Sequence, residues 1–399
     1  MHVTPAEPVI YKKYAQYVVT LLTLSAFLSI SIFQILVAVV LCFTLYSLFA
    51  ESKRPSGMLL FPLSLYAVPT FLSTALFNPS YFIKSLDQAL FSFLYCFKEY
   101  INPNNEVLLR INRILVWVGI ILIPVIAYRF IIQHRVSVLS GGPFEMGLFF
   151  TLFSLASLSL YLFSRKMLYL FLFPTFASIV FFSTKRAPVI GLAIALALFV
   201  LMVRRFVSRR FIFMIAAGFI LVSIIAVTIL IQKDTRFQAL SQVLSGKAEI
   251  NGEYTDKIVS FRWGNFKSGI TIMKHDLVNR NIAYILLGHG IYPGMQLNPQ
   301  PVFGTKYESV SIISEFIERG LVGLAGMLLI YVRYIKFLLR FSVTRKEDFL
   351  KLPLLLVPSA HMAGALFTFY WDARLPLYYL FFGLIEKRET SHRLQEQQE

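Results

Sequence analysis

The chain has 399 residues, 57% of them hydrophobic and only 15% charged, with 39 Phe and 20 Tyr. A soluble domain carries about 25% charged residues, so this composition excludes an ordinary soluble enzyme. The formal net charge of +17 does not indicate nucleic acid. Arg204, Arg205, Arg209 and Arg210 share one short loop, and Arg340, Arg345 and Lys346 another, which is how basic residues sort beside membrane spans.

In chain order, the apolar runs predict about twelve spans: 15–32, 33–50, 58–76, 84–99, 112–132, 145–163, 167–183, 187–203, 211–231, 318–338, 350–370 and 372–386. Each strong run can cross ~30 Å of hydrocarbon as a helix. Helices satisfy their own backbone hydrogen bonds, so the expectation is an all-α polytopic bundle. The 84–99 run is weak, because Lys84, Asp87 and Lys98 interrupt it. Met1 to Tyr14 is polar and lacks a small-residue cleavage site, so a cleaved signal peptide is not expected. Cys42 and Cys96 both fall in predicted spans, which indicates neither a disulfide framework nor a thiolate metal site.

With the N-terminus inside, segments 51–57, 100–111, Ser164-Arg165-Lys166, 204–210, 339–349 and the tail after 386 are cytoplasmic and hold most of the Lys and Arg outside the large loop. The positive-inside rule then places the long polar stretch 232–307 on the outer face. The domain reading is a membrane bundle over 1–231, a large outer loop with short helices over 232–307, C-terminal membrane helices over 308–386, and a cytoplasmic tail over 387–399. No internal repeat is visible, which weighs against a transporter built from two related halves.

Four places carry unusual chemistry. Lys185-Arg186 sits at the outer end of two spans, with Pro188 in the first turn of the second. The pair reads either as snorkelling cations or as a clamp for a diphosphate at a helix N-terminus. In the loop, Phe261, Phe266, Ile270 and Ile272 suggest an amphipathic helix from Ser260 to His275, with Arg262 near its start. At the re-entry, Glu308, Ser311 and Glu315 share a helical stripe, while Glu318-Arg319 reads as an interfacial ion pair. In the last outward turn, Trp371-Asp372-Ala373-Arg374 offers a structural Asp372–Arg374 pair or an arginine facing the outer cavity. His275 and His289 have no metal-ligand spacing, and His289 in Gly288-His289-Gly290 reads as a turn residue. There is no phosphate-binding Gly-rich motif, nucleophile elbow or HExxH, so no ATP-driven or zinc-dependent reaction is expected, and no cofactor.

Together these landmarks resemble the bacterial O-antigen polymerase and O-antigen ligase superfamily. The matching pieces are Ser183-Thr184-Lys185-Arg186-Ala187, Ser260-Phe261-Arg262 with Gly269, Glu318-Arg319-Gly320-Leu321-Val322-Gly323, and Trp371-Asp372-Ala373-Arg374. They cover residues 110 to 386 in layout, and each is short. The resemblance implies a GT-C-like bundle of about twelve helices with one large periplasmic loop. It also implies a metal-independent glycosyltransferase whose donor is a glycan on undecaprenyl diphosphate and whose acceptor is another glycan, at the periplasmic face of the inner membrane. By it, Arg186, with Lys185 beside it, and Arg262 engage the lipid diphosphate, and Arg374 is a third candidate. A chain-length regulator is a possible partner by the same analogy; nucleic acid is not.

The ligases carry a His-Asn pair where this chain reads Ser309 and Val310. That departure favours a repeat-unit polymerase over a ligase and leaves Glu308 as the candidate general base. The alternatives are a ligase placing the glycan on lipid A-core, and a lipid-linked oligosaccharide flippase or transporter, for which Asp87 and His361 are the scattered mid-span ionisable residues. Trp263, Tyr254, Tyr284, Tyr292 and Asn298 are candidate sugar contacts.

Overall fold

The computed structural model describes residues 9–52, 54–133, 137–233, 235–246, 262–301, 307, 310–366, 368 and 370–396. Among these there is no strand, only an isolated bridge between Val138 and Gly141. The helices of the first part of the chain are α1 (Val9–Leu28), α2 (Ile30–Ala50), α3 (Leu60–Phe77), α4 (Phe82–Leu90), α5 (Asn105–Gln133), α6 (Pro143–Ser164), α7 (Met167–Phe182), α8 (Arg186–Val203) and α9 (Arg209–Lys233). Three shorter helices follow, α10 (Thr235–Leu244), α11 (Arg262–Val278) and α12 (Ile282–Leu287). The chain then runs through α13 (Ser311–Arg340), α14 (Leu352–Ala365) and α15 (Leu375–Glu396).

Six of the described helices are long and apolar enough to cross a membrane: α2, α3, α5, α6, α8 and α13. The apolar part of α1 and all of α7 are shorter. Ser29 separates α1 from α2, its hydroxyl accepting from the Ile32 amide, which divides what would otherwise be one apolar run. α6 is the hub, with nearly every residue from Met146 to Leu162 buried. In keeping with that position it is rich in Phe and small hydroxyl residues, whose hydroxyls bond back to the preceding turn (Thr151 to Gly147, Ser154 to Phe150).

The weak 84–99 run is not one continuous α-helix. α4 gives way to a 3₁₀ segment, Phe91–Tyr100, whose rise of about 2.0 Å makes it longer per residue than an α-helix. The last hairpin also departs from the predicted 350–370 and 372–386. α14 has 14 residues, or about 21 Å at 1.5 Å per residue, against ~30 Å of hydrocarbon. Beyond it, Tyr370, Trp371 and Arg374 are buried in the protein.

One end of the bundle gathers the basic segments. Lys98 Nζ lies 2.5 Å from Glu386, whose other oxygen accepts from the Met58 amide at 2.6 Å. Lys387 Nζ caps the carbonyls of Lys98 and Glu99, and Lys351 joins Asp348 to Glu389. Phe206 packs edge-on to Phe349, and Lys346 over Phe163. Segments that the charge pattern assigned to one side of the membrane thus meet at one end; we call the other the loop end.

Candidate functional site

α3 and α13 pack antiparallel through glycine contacts. A Cβ on Gly326 would sit 2.6 Å from the Tyr66 nitrogen, and one on Gly323 3.3 Å from the Pro69 ring. That closeness brings Arg319 against the middle of α3, where it is fully buried. Its Nε donates to Thr70 Oγ1 at 2.8 Å, and its Nη1 to Glu315 at 2.7 Å and Glu318 at 2.9 Å. Nη2 donates to Gln88 of α4, and the guanidinium lies 4.7 Å over the Tyr66 ring. Sequence reading made Glu318-Arg319 an interfacial ion pair. It is instead a buried five-partner network, because Gln88, Thr70 and Tyr66 arrive from helices more than two hundred residues earlier.

Above this network the outer loop is stitched to the bundle by its backbone. α13 is broken at Gly320, whose φ is 62°, and the Gly288-His289-Gly290 bend enters the gap. The His289 amide donates to the Ile317 carbonyl at 2.8 Å and the Gly290 amide to Glu318 at 3.1 Å. His289 Nε2 meets Asp276 Oδ2 at 2.8 Å, and its ring stacks on Tyr284 at 4.1 Å. Asn78, at the end of α3, donates to the Ile291 carbonyl at 2.7 Å and accepts from Gln296 at 2.9 Å. His289 is therefore a turn residue, as expected, and also half of a buried histidine–carboxylate pair. The thirteen-residue separation from Asp276 has no sequence signature.

α11 is described from Arg262, Ser260 and Phe261 lying outside the described residues, and it buries Asn265, Gly269 and Ile272. Gly269 lets it lie against Ile313 and Ile317 of α13, so the amphipathic helix docks on α13. Arg262 is half-buried at its first turn; Trp263 stacks on Phe266 and Tyr292 against Tyr81. Glu308, Ser309 and Tyr254 lie outside the described residues. α13 begins at Ser311 after an extended Val310, so the helical stripe is seen from Ser311 to Glu315.

The second group of expected residues meets at the first turn of α6. Gly147 abuts Pro188 and Ser183 at the start of α8, and a Cβ on Gly364 would sit 3.5 Å from Phe144 and 3.8 Å from Ala187. On the other side of the same turn, Arg374 Nη2 donates to Ser140 at 3.3 Å and its guanidinium lies 4.8 Å over the Phe149 ring. Arg374 is buried, with Asp372 Oδ2 3.9 Å from its Nη1 and Asp372 Oδ1 accepting from its amide at 2.8 Å. The structural-pair alternative describes it better than an arginine open to a cavity. Lys185 and Arg186 are half-buried, held by a tight turn in which Thr184 has φ 55°. The N-termini of α6, α8 and α15 thus converge with Lys185, Arg186 and Arg374 among them. Partial positive charge at helix N-termini adds to these cations and favours an anion, opposed by Glu145, which bonds the Gly142 amide at 2.9 Å.

The two groups are carried by different packing partners: Arg262 by α11 on α13, Lys185 and Arg186 by α8 on α6 and α14. Tyr370 links them, its ring 5.4 Å from Tyr66 under Arg319 and its carbonyl accepting from His361 Nε2 at 2.9 Å. Asp87, the other mid-span ionisable residue, accepts from Gln34 at 3.4 Å. Among the described residues no cluster of His, Cys, Asp and Glu could hold a metal ion.

Fold and composition define an α-helical, multi-pass membrane protein. No family model matches the chain. It is 36% identical over 401 residues to an uncharacterized protein of Aquifex aeolicus (strain VF5), across 93% of this chain and 96% of that one. The chain belongs to that protein's family.

Proposed function

We propose that this protein is a repeat-unit polymerase of surface polysaccharide, joining undecaprenyl-diphosphate-linked oligosaccharides at the loop end of the bundle. That end would face the periplasm of a bacterial inner membrane, with both termini cytoplasmic. The observation that carries the reading is the convergence of three helix N-termini with Lys185 and Arg186 at the first turn of α6. In that setting a departing diphosphate, which gains negative charge as the glycosidic bond to it breaks, meets fixed donors that need no reorganisation. Arg374 contributes field from within the protein, and Arg262 is the loop's contribution from the opposite group. In this reading the outer loop, anchored to the bundle through His289 and Gly290, would bind the acceptor sugar.

The candidate base for the acceptor hydroxyl is Glu308, three positions before α13 in the chain and outside the described residues; the alternative is that no strong base is needed, because diphosphate is already a good leaving group. A ligase or a flippase makes different demands, and a deletion strain separates them. Loss of a polymerase leaves a single repeat on the core, loss of a ligase leaves bare core with lipid-linked polymer, and loss of a flippase leaves neither. Complementing the strain with Arg186→Ala or Arg262→Ala should restore no polymer, whereas a Lys346→Ala control at the basic end should restore it fully.

A further inference from the structure

A lipid-linked substrate needs a place for its tail as well as its head. Residues 170–181 of α7 and 211–219 of α9 line a groove of about 290 Å3. Its floor is made by Phe173, Phe211 and Ile215, each less than 9% exposed, while Phe171 (68% exposed) and Met214 (57%) form rims turned toward the lipid. Two residues create the gap. Gly218 has no atom within 4 Å of where a Cβ would stand, and Pro174 faces it from inside α7. The lining carries no charged or hydrogen-bonding side chain.

The loop-ward limit of the groove is the Phe181–Phe219 contact, with ring centroids 5.7 Å apart. Four residues beyond Phe181 the chain turns through Thr184 into Lys185 and Arg186. An apolar groove that ends four residues short of a cationic corner matches an amphiphile with an anionic head and a long tail. We infer that the α7–α9 groove holds the proximal isoprenoid chain of a polyprenyl phosphate-type lipid whose head lies at Lys185–Arg186. Burial of the chain supplies affinity in proportion to the contact it gains over bulk lipid, and the head group supplies selectivity. This inference rests on the reading of the protein as a user of a polyprenyl diphosphate.

Gly218→Phe tests it, because open space at Gly218 lets a ring fill the groove without displacing the protein. In nanodiscs, retention of undecaprenyl phosphate is measured by native mass spectrometry against phosphatidylglycerol, alongside extension of a lipid-linked repeat. Wild-type protein should retain undecaprenyl phosphate selectively. Gly218→Phe should lower that retention at least ten-fold and leave phosphatidylglycerol unchanged; Met214→Trp, which narrows the rim, should act in the same direction if Gly218→Phe does not fold. Undiminished retention in folded Gly218→Phe, with wild-type extension intact, overturns the groove and leaves the polymerase reading standing. Equal retention of both lipids by wild-type protein shows ordinary annular lipid and also overturns the groove. Absence of extension by wild-type protein overturns the polymerase reading itself.

Discussion

The Nε of Arg319 donates to the hydroxyl of Thr70 at 2.8 Å, tying α13 to the middle of α3. Because Arg319 is completely buried, its charge survives only through its partners. Removing one member of a buried pair leaves the other uncompensated, at a cost of about 3–5 kcal/mol. Arg319→Leu, which strands Glu315 and Glu318, should therefore destabilise more than Thr70→Val, which removes one acceptor of the charged guanidinium for about 1.5–3 kcal/mol. Thermal unfolding in detergent checks the order, and equal effects would mean that Arg319 is not the centre of the network.

Gly288 and Gly320 are locked together by their backbones. A Cβ on Gly288 would overlap the Glu318 carbonyl and the Arg319 amide, and one on Gly320 would overlap Leu286 and Gly288. Both have positive φ, 78° and 62°, which adds strain for any L side chain. Alanine at either position should cost more than ~1–3 kcal/mol and loosen the outer loop. Limited proteolysis between 288 and 310 reads that loosening directly; alanine variants as resistant as wild type would contradict the packing.

Asp276 and His289 should behave as one unit. A hydrogen bond to a charged group contributes about 1.5–3 kcal/mol, so Asp276→Asn and His289→Ala should each weaken loop docking. In a double-mutant cycle the second substitution should add little to the first. Hydrogen exchange of the 288–292 amides is the readout. Fully additive losses would show that the two residues act separately.

At the basic end, Asp348 gives a pH dependence. Burial alone raises its carboxyl pKa, but hydrogen bonds from Lys351 and from the amides of Arg345 and Thr344, with the Lys351 charge, overcome this and hold it below the usual range. A carboxylate with a depressed folded-state value stabilises the fold at pH above its unfolded value of about 3.9. That contribution is lost as pH falls through the lower native value. Unfolding measured from pH 6 down to pH 3 should show less acid sensitivity in Asp348→Asn than in wild type, from a lower starting stability. Parallel curves would contradict the assignment.

Much of this architecture was legible in the chain itself. The long runs over 33–50, 145–163 and 187–203 needed only length and hydropathy, and they recur as α2, α6 and α8. The Lys185–Arg186 corner stood out because it breaks the charge bias of its side. What stayed hidden depends on distant partners. Nothing local marks Gln88 or Thr70 as ligands of Arg319, since a lone polar residue in a span looks the same whether it bonds its own helix or another. Asp276 and His289 share no helical period, so only the Gly288 bend brings them together. The end of α14 was unreadable for a different reason: the apolar sequence runs on past Ala365, where the helix stops, and hydropathy alone does not mark that stop.

Extension of an undecaprenyl-diphosphate-linked repeat by purified protein tests the proposed polymerase activity at the loop end most directly. Wild-type protein should give a ladder of products without added metal or nucleotide, reduced by about two to three orders of magnitude in Arg186→Ala if one diphosphate donor is lost from a preorganised site. No ladder from folded wild-type protein, or an undiminished ladder from Arg186→Ala, would contradict it.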